Sequence, residues 1–202
     1  MREVLRLGFV LLVVCAIGGA VLAFVDGITS DRIAAQAAIR LQKALEDVLP
    51  GAAEFQDAEE LLQEVKAEAS KEGRPGLTVI DKMYLGYFQD ECTGLVFTCS
   101  PPGYGGPIET VVGVSLKGEI SGVSVIRHAE TPGLGSNITN PEFQMRFIGI
   151  SKGTEVKVRE DGGQIDAITG ATISSRAIAD AVNGALLMFE IVYDKEAPGN
   201  EL

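Results

Sequence analysis

The spacing of apolar residues along this chain changes from one segment to the next, and each spacing predicts a different kind of element. Residues 7–25 form an uncharged, mostly apolar run, close to the ~20 residues that a helix needs to cross a bilayer. Apolar residues then recur at helical spacing in 31–49 and again in the acidic segment 58–71, which is typical of helices with one buried face. We therefore predict one membrane-spanning helix followed by two further helices.

The middle of the chain has a different pattern, with short segments rich in β-branched and aromatic residues between turn residues. We predict strands at 77–80, 82–88, 95–100, 110–116 and 120–127. Downstream, Gln164–Ala167 can form a short strand, and apolar residues at helical spacing predict a helix over 174–192. Strands that follow one another in sequence and then a packed C-terminal helix indicate an α+β fold with an antiparallel sheet.

Charges beside the apolar run indicate how the chain crosses the membrane. Arg2 and Arg6 precede the run and Asp26 follows it, which favours a cytoplasmic N-terminus and an extracytoplasmic remainder. Val21-Leu22-Ala23 would also suit cleavage of a signal peptide, but the run is longer than the usual signal core, so we favour an uncleaved anchor in the inner (cytoplasmic) membrane. The predicted segments are a cytoplasmic N-terminus at 1–6, a transmembrane helix at 7–25, a helical stalk and connecting segment at 26–76, one extracytoplasmic domain at 77–192 and a flexible tail at 193–202.

Composition argues against several classes of partner. The formal net charge of −11 disfavours binding to nucleic acid and docking on anionic lipid headgroups. Cys92 and Cys99 have no close Cys or His neighbours in sequence, so we expect no metal site. Since a strand separates the two residues by more than the reach of a disulfide, we expect free thiols.

The turn at Asp166–Ser175 carries the candidate chemistry. Thr172 lies just before the first free amides of the predicted C-terminal helix, where an anion is favoured. Gly170 and Ala171 keep the turn small, and hydroxyls at Thr169, Ser174 and Ser175 could donate to phosphate oxygens. The alternative from these features alone is that Thr172 only caps the helix.

Three segments resemble one known family. Asp166-Ala167-Ile168-Thr169-Gly170-Ala171-Thr172 followed by Ser174-Ser175 resembles the flavinylation motif of the FMN-binding domain family. The segments Pro102–Pro107 and His128–Gly135 match the same family in the same order. Together with the N-terminal apolar run, they make the chain similar to the G subunits of Rnf electron-transport complexes, which are homologous to the C subunits of sodium-pumping NADH:quinone reductases.

The resemblance implies a cofactor and a set of residues around it. FMN would be joined to Thr172 by a phosphoester bond, which a separate flavin transferase forms. The other residues of the site would be Asp166, Thr169, Gly170, Ala171, Ser174, Ser175, Glu130, Thr131, Gly133 and Leu134. Leu134 would pack on the flavin ring, while Glu130 and Thr131 would reach the phosphate and ribityl side or fix their loop. Tyr104 could cover the site or be an ordinary turn aromatic, and His128, the one histidine of the chain, has no catalytic partner in sequence.

The same resemblance implies a role. The chain would relay electrons within a membrane complex that transfers them between ferredoxin and NAD and moves sodium ions or protons. Its partners would be the other membrane subunits, and the isolated chain, with no catalytic residues of its own, would have no turnover. Two alternatives remain open at this point: an anchored extracytoplasmic flavoprotein reductase outside Rnf, or an anchored binding domain without flavin.

Overall fold

The computed structural model of the protein describes residues 2–71 and 77–196. Residues 72–76 and 197–202, at the end of the predicted connecting segment and in the predicted tail, lie outside the described part. The chain divides into two compact units, 1–40 and 41–202. Its helices and strands are α1 (Arg2–Val48), β1 (Glu54–Asp57), α2 (Glu59–Lys71), β2 (Ile80–Phe88), β3 (Glu91–Cys99), β4 (Glu109–Ser115), β5 (Ile120–Arg127), α3 (Pro141–Gln144) and α4 (Thr172–Glu196).

α1 is one uninterrupted helix of 47 residues, where the sequence predicted two helices. The residues that join the two predicted segments, 26–30, include no proline. The Thr29 hydroxyl donates to the Val25 carbonyl at 2.8 Å, so its polar group is satisfied within the helix. Among the residues that the structure describes, α1 is the one helix long and apolar enough to cross a membrane.

The strands form one antiparallel sheet in the order β1-β2-β3-β4-β5, so each strand pairs with its neighbour in sequence. This confirms the predicted α+β fold. The sequence missed β1, because its four mostly exposed residues at the sheet edge have no alternating pattern. The predicted strand at Gln164–Ala167 is reduced to a single bridge between Ile165 and Val158. Residues 77–79 form a 3₁₀ turn, and the strand predicted there begins only at Ile80.

The main core lies between one face of the sheet and α4. Apolar side chains of α4 recur at helical spacing from Ile178 through Val182 to Phe189, and each is at most 1% exposed. They join one buried cluster with Phe97 of β3 and Val112 of β4. Because burial of each such side chain contributes roughly 1.5–3 kcal/mol, this face fixes the orientation of α4 and therefore the position of its first residue.

The opposite face of the sheet receives the C-terminal end of α1. Four glycines make room for it, and we call them the glycine floor: Gly86, Gly94, Gly113 and Gly122. A Cβ added at Gly113 would lie 2.4 Å from the Val48 carbonyl oxygen, and one added at Gly86 would lie 2.5 Å from Leu49. Ser121 Oγ donates to the Val48 carbonyl at 2.6 Å, which satisfies one of the free carbonyls at the helix end.

As predicted, Cys92 and Cys99 form no disulfide, and both side chains are buried. Cys92 lies near the start of β3 and Cys99 at its end, so both cysteines belong to one nine-residue strand. Burial raises the pKa of the Cys99 thiol well above its ordinary value, which keeps it protonated and unreactive. Within 2–71 and 77–196, no group of three or more His, Cys, Asp or Glu side chains could hold a metal ion.

Candidate functional site

α4 begins in a tight turn that leaves its first backbone amides outside the helical hydrogen-bond ladder. The Ala171 amide donates to the Ile168 carbonyl at 2.8 Å, and Gly170 has a φ of +76°, which glycine adopts without strain. The ladder starts with the Ser175 amide on the Ala171 carbonyl, so the amides of residues 172–174 precede it. These amides and the helix dipole favour an anion at this point.

Ser175 shapes this turn. Its buried hydroxyl accepts from the Ile168 amide at 3.0 Å and donates to the Ala171 carbonyl at 3.0 Å. A hydroxyl has one proton to donate, and here that proton is committed inside the protein. The expectation that Ser175 donates to a phosphate oxygen therefore does not fit this geometry, and Ser175 instead holds the turn that presents Thr172.

One wall of the site is the turn before α4, and a second wall is the loop that follows β5. Gly133 has a φ of +77°, its amide donates to Ser136 Oγ at 2.9 Å, and its carbonyl accepts from Asn137 Nδ2 at 3.2 Å. These bonds fold the loop back on the 3₁₀ turn Gly135–Thr139. As a result Leu134 stands at the protein surface, 47% exposed.

Glu130 connects the walls of the site from inside. It is only 5% exposed, and its two carboxylate oxygens have different partners. Oε1 accepts from the Gly105 amide at 2.9 Å, and Oε2 accepts from the Ser174 hydroxyl at 2.5 Å. The Glu130 amide donates to His128 Nδ1 at 3.2 Å, which gives the lone histidine a local structural contact. Glu130 and Ser174 thus bond to each other, and both fix the loops around the site.

The walls enclose a cavity of about 510 Å³ in front of Thr172, within the 300–1,000 Å³ usual for small-molecule sites. Seven of the residues expected from the sequence line it: Glu130, Thr131, Leu134, Gly170, Ala171, Thr172 and Ser174. Three further lining residues are Tyr104, Gly135 and Ile173. Sequence reasoning left Tyr104 undecided and missed Gly135 and Ile173, although both adjoin motif residues.

The other expected residues lie around the cavity without lining it: Asp166, Thr169, Gly133 and Ser175. Asp166 is exposed, forms an ion pair with Arg159 at 2.8 Å, and accepts from Arg146 through its backbone carbonyl. Arg176 and Asp161 form a second ion pair beside the turn. The hydrogen bond from Arg176 lowers the pKa of the Asp161 carboxyl below its ordinary value, so this second pair is charged at neutral pH.

The residues of the cavity suit a phosphorylated ligand with a flat apolar part. Thr172, which is partly exposed, carries a hydroxyl and is the first residue of the helix whose free amides favour an anion. The exposed side chains of Leu134, Ile173 and Tyr104 provide apolar surface in the same cavity. The glycine at 170 keeps the approach open, since a Cβ there would come within 3.3 Å of Leu134. FMN has both parts that this arrangement would bind.

Comparison with known proteins gives matches over both units of the chain. Residues 103–187 match the FMN-binding domain family, and residues 1–48 match the RnfG N-terminal region. The G subunit of the ion-translocating oxidoreductase complex of Methanosarcina acetivorans is 32% identical over 187 residues, covering 92% of this chain and 94% of the relative. The chain belongs to the family of G subunits of these complexes. Together with α1, this membership makes it a membrane protein with one N-terminal span.

Other relatives carry more specific names. The G subunit of the Na(+)-translocating ferredoxin:NAD(+) oxidoreductase complex of Acetobacterium woodii is 30% identical over 202 residues, covering 94% of this chain and 93% of the relative. Among solved structures, Shewanella oneidensis NqrC is similar with a TM-score of 0.49 and 22% identity. That match covers 58% of this chain, which spans 61% of the NqrC chain.

Proposed function

We propose that this protein relays electrons through FMN bound covalently at Thr172, in a ferredoxin:NAD oxidoreductase complex coupled to translocation of sodium ions or protons. The observation that carries the proposal is the position of Thr172 at the start of α4, in one cavity with residues of the other two motif segments. Family membership supports the assignment to a membrane complex, and the match of residues 103–187 to the FMN-binding domain family supports FMN as the cofactor.

Attachment requires a hydroxyl that a phosphoryl group can reach. The Thr172 Oγ would form the new ester bond to the FMN phosphorus of FAD, while the pyrophosphate bond of FAD breaks and AMP leaves. The hydroxyl proton is released in the same step, so atoms and charge balance. A separate flavin transferase would catalyse it, and this chain supplies the acceptor oxygen and holds it in place.

The surrounding residues would each bind one part of the cofactor. The amides of 172–174 stabilise the phosphate charge, and Thr131 offers a hydroxyl at the cavity edge. Leu134 and Ile173 pack against the ring, whereas Asp166 and Thr169 act from outside the cavity by holding the turn. Bound FMN supplies the redox chemistry, and the protein supplies its position and its surroundings.

The anchor fits the role of a fixed relay. α1 would hold the FMN domain beside the other membrane subunits, with Arg2 and Arg6 in the cytoplasm and the domain on the periplasmic or extracytoplasmic side. Covalent attachment there has a physical benefit, since a cofactor lost outside the cell could not easily be replaced. The isolated chain would carry electrons without turnover of its own.

The experiment that tests the proposal is peptide mass spectrometry on the full chain co-expressed with its flavin transferase. We expect a peptide containing Thr172 to carry FMN less one water. Thr172→Ala should carry none, because alanine has no oxygen to esterify. The same substitution should lower the free energy of unfolding by only ~0.5–2 kcal/mol. Thr172→Ser keeps the hydroxyl and should still be modified. Thr169→Ala is expected to reduce the attached fraction without abolishing it.

Two results would contradict the proposal. One is a wild-type Thr172 peptide without the adduct under conditions in which the transferase modifies another substrate. The other is covalent flavin that persists in Thr172→Ala. The alternative in which Thr172 only stabilises the helix start predicts a slight loss of stability in Thr172→Ala and no flavin in any variant.

A further inference from the structure

The loop at Pro102–Pro107 holds an exposed aromatic side chain at the rim of the cavity. The loop closes on itself through the Gly103 amide, which donates to the Gly106 carbonyl at 2.8 Å, and through a bridge between its two terminal prolines. Tyr104 at its tip lines the cavity and is 73% exposed. An exposed aromatic on a closed, glycine-rich loop has little within its own segment to pack against.

The tip of this loop is tied down by one buried carboxylate. Glu130 Oε1 accepts from the amide of Gly105, the residue directly after Tyr104. If the loop moved away, it would leave a buried acceptor without its donor, which is costly in a protein interior. The other oxygen of the same carboxylate accepts from Ser174 in the first turn of α4. One side chain therefore sets the distance between Tyr104 and the start of α4.

The backbone segments around the Glu130 carboxylate are packed too closely to accommodate side chains at three glycine positions. A Cβ added at Gly103 would lie 2.4 Å from Glu130 Oε1, and one added at Gly135 would lie 2.5 Å from Glu130 Oε2. A Cβ at Gly105 would lie 2.1 Å from the Ala129 carbonyl oxygen. Glycine at these three positions lets the Tyr104 loop, the loop after β5 and α4 close directly on Glu130.

We propose that Tyr104 covers the flavin ring in this cavity and that Glu130 is the positioning residue that holds it there. The inference rests on the proposed function, since it concerns the same cavity. Leu134 and Ile173, 47% and 46% exposed, form the apolar surface on which one face of a flat ring would pack. Tyr104 is the aromatic side chain in the lining, and aromatic rings stack on flat conjugated ligands with offset geometry.

The proposal makes a spectroscopic prediction. A phenol in contact with an excited flavin donates an electron to it, and the electron returns without emission of light, so flavin fluorescence is quenched. In the full chain loaded with FMN, we expect a short fluorescence lifetime that lengthens several-fold in Tyr104→Leu. The matched control is Tyr193→Leu, which removes a partly exposed tyrosine that stacks on Phe189 at the other end of α4. It should leave the lifetime unchanged.

Exposure of Tyr104 gives a second readout that works on the chain without flavin. Tetranitromethane should nitrate Tyr104 in protein made without the transferase, and loading with FMN should protect it. Tyr193 should be nitrated to the same extent in both preparations, which provides an internal control. Equal nitration of Tyr104 before and after loading would overturn its role as the cover.

The positioning role of Glu130 is tested by a pair of substitutions. Glu130→Gln can still accept from Gly105 and donate to Ser174 Oγ, so its fluorescence lifetime should stay short. Glu130→Ala loses both bonds, so the lifetime should lengthen and the Gly105 amide should exchange with solvent faster than in wild type. If Glu130→Ala fails to fold, the Tyr104 variants still decide the main claim. Equal lifetimes in the Gln and Ala variants would refute the positioning role.

These outcomes separate the two proposals. Wild-type protein without flavin on Thr172 refutes the proposed function and this inference with it. Wild-type protein that carries flavin, with a lifetime that does not change in Tyr104→Leu, refutes this inference alone.

Discussion

α1 and α4 are the two long apolar helices of this protein, and their apolar side chains meet opposite surroundings. Apart from the half-buried Val13, the large apolar side chains in the run 7–25 of α1 are between 50% and 72% exposed within the structure. Those of α4 from Ile178 to Val192 are at most 3% exposed wherever they face the sheet. The run in α1 is apolar on all sides, while α4 alternates an apolar stripe with polar positions. Period, rather than total hydrophobicity, separates a helix that needs lipid from one that packs on protein.

The C-terminal end of α1 and the N-terminal end of α4 also have different surroundings. α1 ends on the glycine floor, where a serine hydroxyl and close backbone contacts hold Val48. α4 begins at an open cavity, where its first amides and Thr172 face outward. One helix end is therefore closed by protein contacts and serves attachment. The other is left open, and we expect a ligand to complete it.

The largest effect is expected when charged residues are introduced into the apolar run 7–25 of α1. Leu12→Arg with Ile17→Arg should abolish stable membrane insertion, because each arginine near the centre of a span costs about 2.5–3.5 kcal/mol. Extraction of membranes with alkaline carbonate should release this double variant. The matched control, Ala35→Arg with Ala38→Arg, places the same charges outside the run and should remain in the pellet.

Mass analysis of wild type should find Met1 or Arg2 at the N-terminus, and a start at Phe24 would refute the uncleaved anchor.

A matched pair of phenylalanines tests the contrast directly. Phe189→Ala in α4 removes a side chain that is 1% exposed and should destabilise the 41–202 unit by about 3–5 kcal/mol. Phe24→Ala in α1 removes one that is 70% exposed and should leave the unfolding of that unit unchanged. Urea titration of the full chain in detergent, followed by circular dichroism, measures both. Similar midpoints for the two variants would contradict the assignment of α4 to the core.

The glycine floor predicts a smaller effect at the closed end of α1. Gly113→Ala would force its Cβ to 2.4 Å from the Val48 carbonyl oxygen, and overpacking of this kind typically costs about 1–3 kcal/mol. The control is Gly51→Ala, where an added Cβ would meet nothing within 4 Å. The same urea titration should shift for Gly113→Ala and stay near wild type for Gly51→Ala. An unshifted Gly113→Ala would mean that the end of α1 is not held against the sheet.

The smallest effect is expected beside the open end of α4. The hydrogen bond from Arg176 lowers the pKa of the Asp161 carboxyl, so this pair stabilises the fold above the ordinary carboxyl pKa. That stabilisation is lost as the pH falls through the lowered pKa. Asp161→Asn should therefore melt slightly below wild type at neutral pH, and the difference should vanish in acid. Because the pair is exposed, added salt should shrink the difference as well. A difference that grows in acid would reverse the assigned sign.

Much of the fold could be predicted because its patterns are local. The uncharged run, the β-branched segments and the stripe of α4 each lie in one stretch of sequence, and each gives a recognisable period. The antiparallel sheet could be predicted because consecutive strands usually pair when turns are short. β1 and the join between the two parts of α1 were missed, since neither has a pattern that distinguishes it from its flanks. The segments 1–6, 7–25, 26–76, 77–192 and 193–202 and the side of the membrane stay predictions.

The sequence also indicated Thr172 as the candidate attachment residue, because the continuous segment Asp166–Ser175 resembles the flavinylation motif of the FMN-binding domain family and the helix after it is strongly periodic. Only the tertiary structure decided what surrounds that residue. Glu130 and Ser174 are 44 positions apart, and no local pattern indicates that the Ser174 hydroxyl donates to the Glu130 carboxylate. Ser175 turned out to face the turn and Asp166 the solvent, while Tyr104 faces the cavity. Side-chain direction in a loop depends on contacts between segments distant in sequence, and those contacts form only when the sheet brings the loops to the start of α4.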